Sequence, residues 1–150
     1  MSNVKNLLFL IIIFLFSCEQ NTEIPLPQNP IEKFALPKSI FTLTITPNPI
    51  STSSPTQTWT IRETNKIGFD IEQIIIETYN QDSLLTRTYN FGNSEIISLF
   101  DSNYIPPLST IIGTKNNDTT EPSGYWRKIR IIGTDENQNR VSTECILRIQ

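Results

Sequence analysis

Apolar and polar residues trade places at every second position through several stretches of this chain. That period limits those stretches to strands with one buried face. Phe41, Leu43 and Ile45 alternate with Thr42, Thr44 and Thr46, and Trp59 and Ile61 repeat the pattern within residues 58–62. In residues 125–133, Ile129 and Ile131 fall on one parity and Trp126, Lys128 and Arg130 on the other. In residues 141–149, Val141, Cys145, Leu147 and Ile149 oppose Ser142, Glu144 and Arg148. The polar residues 135–139 between these two stretches have the length of a hairpin connection, so the last two strands are expected to pair antiparallel. Residues 73–80, 84–90 and 108–112 read as further short strands. Beyond residue 18 no stretch sustains a 3.6-residue apolar period, so helix is expected to be minor. About seven short strands at this spacing predict an all-β fold, a single antiparallel β-sandwich.

The N-terminus follows a different rule. Residues 7–16, LLFLIIIFLF, form an unbroken apolar run preceded by one cation, Lys5. As a helix the run would be roughly 15 Å long, about half the ~30 Å hydrocarbon thickness of a bilayer, which suits the apolar core of a signal peptide better than a membrane span. It ends Leu15-Phe16-Ser17-Cys18 and turns polar at Glu19. These residues resemble the lipobox of bacterial lipoproteins: an aliphatic residue at −3, a small one at −1 and Cys at +1, with Phe16 larger than the residue usual at −2. The resemblance implies a signal peptide over residues 1–17 and lipidation of Cys18. The thiol would carry a diacylglyceryl thioether, and cleavage would free the Cys18 amine for acylation. More than one acyl chain is needed for lasting membrane attachment. Glu19 in place of Asp at +2 implies the outer rather than the inner membrane of a bacterial envelope. Loss of 17 residues, one of them a cation, takes the chain from 150 residues and a charge of −3 to 133 residues and −4.

Residues 18–38 carry Pro25, Pro27, Pro30 and Pro37 without any strand or helix pattern. Spaced prolines favour polyproline-II chain at ~3.1 Å per residue, a tether of about 60 Å when extended. Two arrangements are open: a free stalk, or a stalk whose residues 31–36 lie against the domain. The domain itself is expected over residues 39–150. Its stretch WTIRETNKIGFDIEQIIIETY, with Glu63-Thr64-Asn65 and Gly68 at a turn, resembles bacterial immunoglobulin-like or fibronectin-type-III-like domains. The closing stretch 131–141 resembles their final hairpin, with Gln138-Asn139 in place of the usual Gly-Asn. The resemblance implies an immunoglobulin-like sandwich of the disulfide-free kind, used for binding, adhesion or spacing.

Composition removes several chemistries. With no histidine in the sequence, Ser-His-Asp and Cys-His nucleophile systems and His-bearing metal sites are excluded, and the commonest general base at neutral pH is missing. An acidic balance offers no basic face to nucleic acid. No Gly-rich phosphate loop, metal-type Cys pair or nucleophile elbow is present, so neither a cofactor, a metal nor an enzyme activity is expected. With Cys18 assigned to lipid, Cys145 has no intrachain partner and reads as a small buried apolar residue. Glu63, Asp70, Glu72, Glu77, Asp135 and Glu136 read as solvated turn and strand charges, Glu63 being expected to accept turn N–H bonds. The alternative for paired carboxylates is glycosidase-type chemistry. Trp126, Lys128 and Arg130 form the candidate binding strip: an outward Trp flanked by cations can stack on a sugar or anchor a protein. The competing reading is that Trp126 caps the sandwich edge beneath Lys and Arg stems. Together these expectations describe a lipid-anchored envelope module with a non-catalytic binding, adhesion or assembly role, its partner another envelope protein or a glycan. The alternative is a carbohydrate-binding or hydrolytic accessory lipoprotein.

Overall fold

Each sustained alternation is a strand. In a computed structural model that describes residues 35–51, 53, 56–116 and 120–150, β1 (Phe41–Thr46) buries Phe41, Leu43 and Ile45 and exposes its three threonines. The signal peptide, Cys18 and the tether as far as residue 34 lie outside the described residues. β2 (Thr56–Glu63) buries Gln57, Trp59, Ile61 and Glu63. β3 (Phe69–Tyr79) starts before the apolar run that marks it in the sequence, because its parity changes part-way. Phe69 and Ile71 face inward, and a bulge between Ile71 and Gln73 hands the inner face to Ile74, Ile76 and Thr78. One extra residue in a strand shifts every later side chain to the other face. Gly133 lies opposite, and a Cβ there would sit 2.1 Å from the Asp70 carbonyl oxygen, so only glycine permits this approach.

After β4 (Leu85–Phe91) the chain forms its one described helix, α1 (Asn93–Phe100). The Glu95 carboxylate accepts from the Gly92 N–H at 3.1 Å, and Ile96 and Phe100, four residues apart, bury one side of two turns. Then follow β5 (Tyr104–Ile105), β6 (Thr110–Asn116), β7 (Trp126–Asp135) and β8 (Arg140–Arg148). Among the described residues, eight strands and a short helix thus stand where about seven strands were expected.

The strands form two antiparallel sheets, β1-β2-β6 and β4-β3-β7-β8, with β5 paired to the start of β3. They face each other as a β-sandwich over one core, in which Trp59, Ile61, Phe69, Ile74, Ile129, Ile131 and Leu147 are all but fully buried. The predicted last hairpin is present: β7 and β8 pair from Trp126–Arg148 to Thr134–Arg140. The two long sides of the sandwich differ. On one, Asn48 bonds the Ile146 carbonyl and the Arg148 N–H (2.8 and 3.1 Å), and Ile50 bridges Ile149, stitching the end of β1 to β8. On the other, β4 and β6 are sheet edges, crossed by α1, whose Leu99 carbonyl lies over Gly113 of β6.

Candidate functional site

The carboxylates singled out in the sequence have separate employments. Glu63 ends β2 fully buried, and its two oxygens accept from the N–H groups of Asn65 (2.6 Å), Lys66 (3.1 Å) and Leu108 (2.7 Å). It therefore ties the β2–β3 turn to the segment before β6. Asp135, also buried, accepts from Ser39, Asn137 and Asn139 N–H groups at 3.0, 2.9 and 2.8 Å. Burial alone would raise both carboxyls, but the converging backbone N–H donors outweigh it and hold both below their ordinary values. Glu72 pairs with Thr134 and Arg140, Glu77 with Lys128 (3.7 Å), and Glu136 accepts from the Tyr104 hydroxyl at 2.5 Å. Asp70 is exposed. Among the described residues no three potential metal ligands come together. The domain also reaches into the proline-rich segment: Asn137 and Asn139 donate to the Pro37 carbonyl at 2.9 and 3.2 Å, and Asn65 to that of Lys38 at 2.6 Å.

Trp126, Lys128 and Arg130 share the outer face of the five-stranded sheet and are half-buried. Trp126 lies flat on Tyr79 of β3, with ring centroids 4.2 Å apart and planes 8° from parallel. Lys128 stands between Glu77 and Glu144 (3.7 and 4.0 Å), and Arg130 reaches Glu144 at 3.7 Å. The strip is thus one rigid aromatic pair beside a charge ladder whose members answer one another. Burial, then the hydrogen bond to Glu77 (3.1 Å), raises the Tyr79 phenol above its ordinary value, so it stays a donor. Cys145 is half-buried against the core and free; loss of hydration pushes its thiol up and keeps thiolate scarce.

A third cluster escaped the sequence reading. Arg127 has the parity of Ile129 and Ile131 and so points into the sandwich, where it is buried. Across the strands, Arg87, Thr78 and Arg127 form one inner row. Glu121, from the β6–β7 connection, closes over it: one oxygen meets Arg127 Nη2 at 2.8 Å and the other lies 3.8 Å from Arg87. The facing sheet contributes Gln57 and Lys115, partners in register on its inner face. Arg87 also donates to the Tyr89 hydroxyl (2.9 Å) with its guanidinium 5.6 Å from the ring centre. The signal lay in the alternation itself, since a cation at an inward position of a strong strand must find a partner inside.

No family model matches the chain, and no curated protein matches its sequence. Comparison with solved structures finds a similar fold in a Bordetella protein. A Bordetella pertussis protein described as ApaA aligns with 74% of this chain and 94% of its own, at 12% identity and a TM-score of 0.52. The archaellum periplasmic stator protein FlaG of Sulfolobus acidocaldarius aligns with 71% of this chain and 100% of its own, at 16% identity and a TM-score of 0.40. At such identities the likeness to the Bordetella protein is one of fold, and function has to be argued from the sites of this chain.

Proposed function

We propose that this protein is a lipid-anchored β-sandwich module of a bacterial envelope, held through Cys18 and acting by binding or assembly rather than catalysis. The observation that carries the reading is the apolar run at residues 7–16 closing on Leu15-Phe16-Ser17-Cys18 and turning polar at once. The domain is in keeping with it, since its two buried turn carboxylates are spent on backbone N–H groups. The finer assignment, an immunoglobulin-like or fibronectin-type-III-like sandwich, is supported by strand order. Two sheets ordered β1-β2-β6 and β4-β3-β7-β8 interleave the chain as such domains do, with α1 and β5 inserted after β4. Cell fractionation of Cys18→Ser tests the anchor. The expected result is wild type in the membrane pellet and the variant lost from it or retained as uncleaved precursor; an unchanged, processed, membrane-bound variant overturns the reading.

A second reading, glycan recognition, is favoured by the stacked Tyr79–Trp126 pair, in which Tyr79 holds the Trp126 ring in a fixed orientation near Lys128. A glycan array decides it: signal lost in Trp126→Ala supports the reading, and signal indifferent to Trp126 removes it.

A further inference from the structure

The two outer faces of the sandwich differ in chemistry. On the sheet β1-β2-β6 the outward positions line up in register as three rows of three: Thr42, Arg62 and Thr110; Thr44, Thr60 and Ile112; Thr46, Thr58 and Thr114. Seven of these nine residues are threonines, six of them exposed and Thr60 half-buried. Arg62 is the one charge and stands in an end row, and Ile112 is 62% exposed. The outer face of the other sheet carries instead the ladder of Glu77, Lys128, Arg130 and Glu144. None of the seven threonine hydroxyls bonds to another described residue. Branching at Cβ leaves threonine few rotamers, so each presents a methyl and an unspent hydroxyl at a place the sheet fixes.

Composition and spacing select what such a surface fits. No aromatic ring stands on the nine positions to stack on a sugar or anchor a protein. A single cation is too little for a polyanion or an anionic headgroup layer. The array repeats about every 4.8 Å across the strands and about every 6.7 Å along them. Water joined tetrahedrally by hydrogen bonds of about 2.75 Å has next-nearest oxygens about 4.5 Å apart and repeats about every 7.3 Å along the hexagonal axis of ice. Sheet twist limits this match to a patch of about three strands, which is the width present. We infer that this face binds ice, the threonine hydroxyls standing in for lattice waters and the methyls seating in the hollows between them. The surface is separate from the Trp126 strip and does not depend on the anchor at Cys18.

Partition of the full chain, in dodecyl maltoside micelles, into slowly grown ice tests this. Wild type is expected to enter the ice at least tenfold more than Thr58→Lys, which sets a charged side chain in the middle of the Thr46–Thr58–Thr114 row. Thr88→Lys, exposed on β4 of the other sheet, is expected to enter as wild type does. Seed crystals are expected to grow faceted in wild type and as round discs in Thr58→Lys and in micelles alone. Thr114 is exposed on the same row, so Thr114→Lys decides the matter if Thr58→Lys does not fold. Exclusion of wild type from ice, or uptake unchanged by the substitutions at Thr58 and Thr114, overturns the inference. Retention on microcrystalline cellulose that Thr58→Lys abolishes, without uptake into ice, also overturns it and assigns the face to a polysaccharide surface.

Discussion

Glu63 shows how a single side chain fixes both a turn and a pH dependence. Buried acids are costly unless donors converge on them, and here three backbone N–H groups at 2.6 to 3.1 Å do so. Glu63 and Asp135 both titrate, when folded, below their ordinary values of 4.5 and 3.8. In the unfolded chain each returns to its ordinary value, so the unfolded state takes up protons first on acidification. Their contribution is therefore complete above about pH 4.5 and is lost as pH falls through the depressed folded values. Glu63→Gln keeps the shape but removes the charge and sets an amide N–H₂ against N–H donors. It is expected to cost about 2 kcal/mol at pH 7, the scale of a charge-assisted hydrogen bond, and progressively less toward pH 3. Urea unfolding of both proteins at the two pH values measures this; a constant difference would contradict it. The sequence showed Glu63 at a turn because of its Glu-Thr-Asn context. It could not show Leu108, 45 positions away, since a long-range donor leaves no mark near its acceptor.

Elements were legible where one rule ran uninterrupted. β1, β7 and β8 keep a single parity and were readable from alternation alone. β3 breaks parity at its bulge, so only its second half reads as a strand. α1 spans 8 residues, too few turns for a helical period to emerge from NSEIISLF. Its position comes from packing instead, and Gly113 is the contact that admits it. A Cβ on residue 113 would meet the Leu99 carbonyl oxygen at 2.4 Å and the Phe100 ring at 2.8 Å, while one on Gly92 would meet only a flexible Glu95 oxygen at 3.5 Å. Gly113→Ala must push the helix off the sheet and is expected to cost about 1–3 kcal/mol, with faster amide exchange through α1. Gly92→Ala is expected to stay within about 0.5 kcal/mol. Equal thermal shifts for the two variants would show that α1 is not seated on Gly113.

At the scale of the whole molecule, the two sides of the sandwich differ in chemistry. Asn48 and Ile50 close the side between β1 and β8. The side between β4 and β6 keeps two sheet edges with Arg87, Lys115 and Arg127 turned inward beside it. Inward charges at an edge discourage pairing with other chains, and the same charges make this the chemically richest part of the domain. The outward strip is the feature the sequence offers first, because an outward Trp flanked by cations is easy to see. The inward Arg127 is adjacent to it and was hidden by the same alternation that reveals the strand. The sandwich follows from patterning, but the attachment proposed for it rests on the residues around Cys18. Intact mass measurement of the protein extracted from membranes tests that attachment directly. The account predicts a chain that begins at Cys18, heavier than its sequence by a diacylglyceryl group, with or without an added N-acyl chain. A chain that retains residues 1–17, or one in which Cys18 carries no lipid, would contradict it.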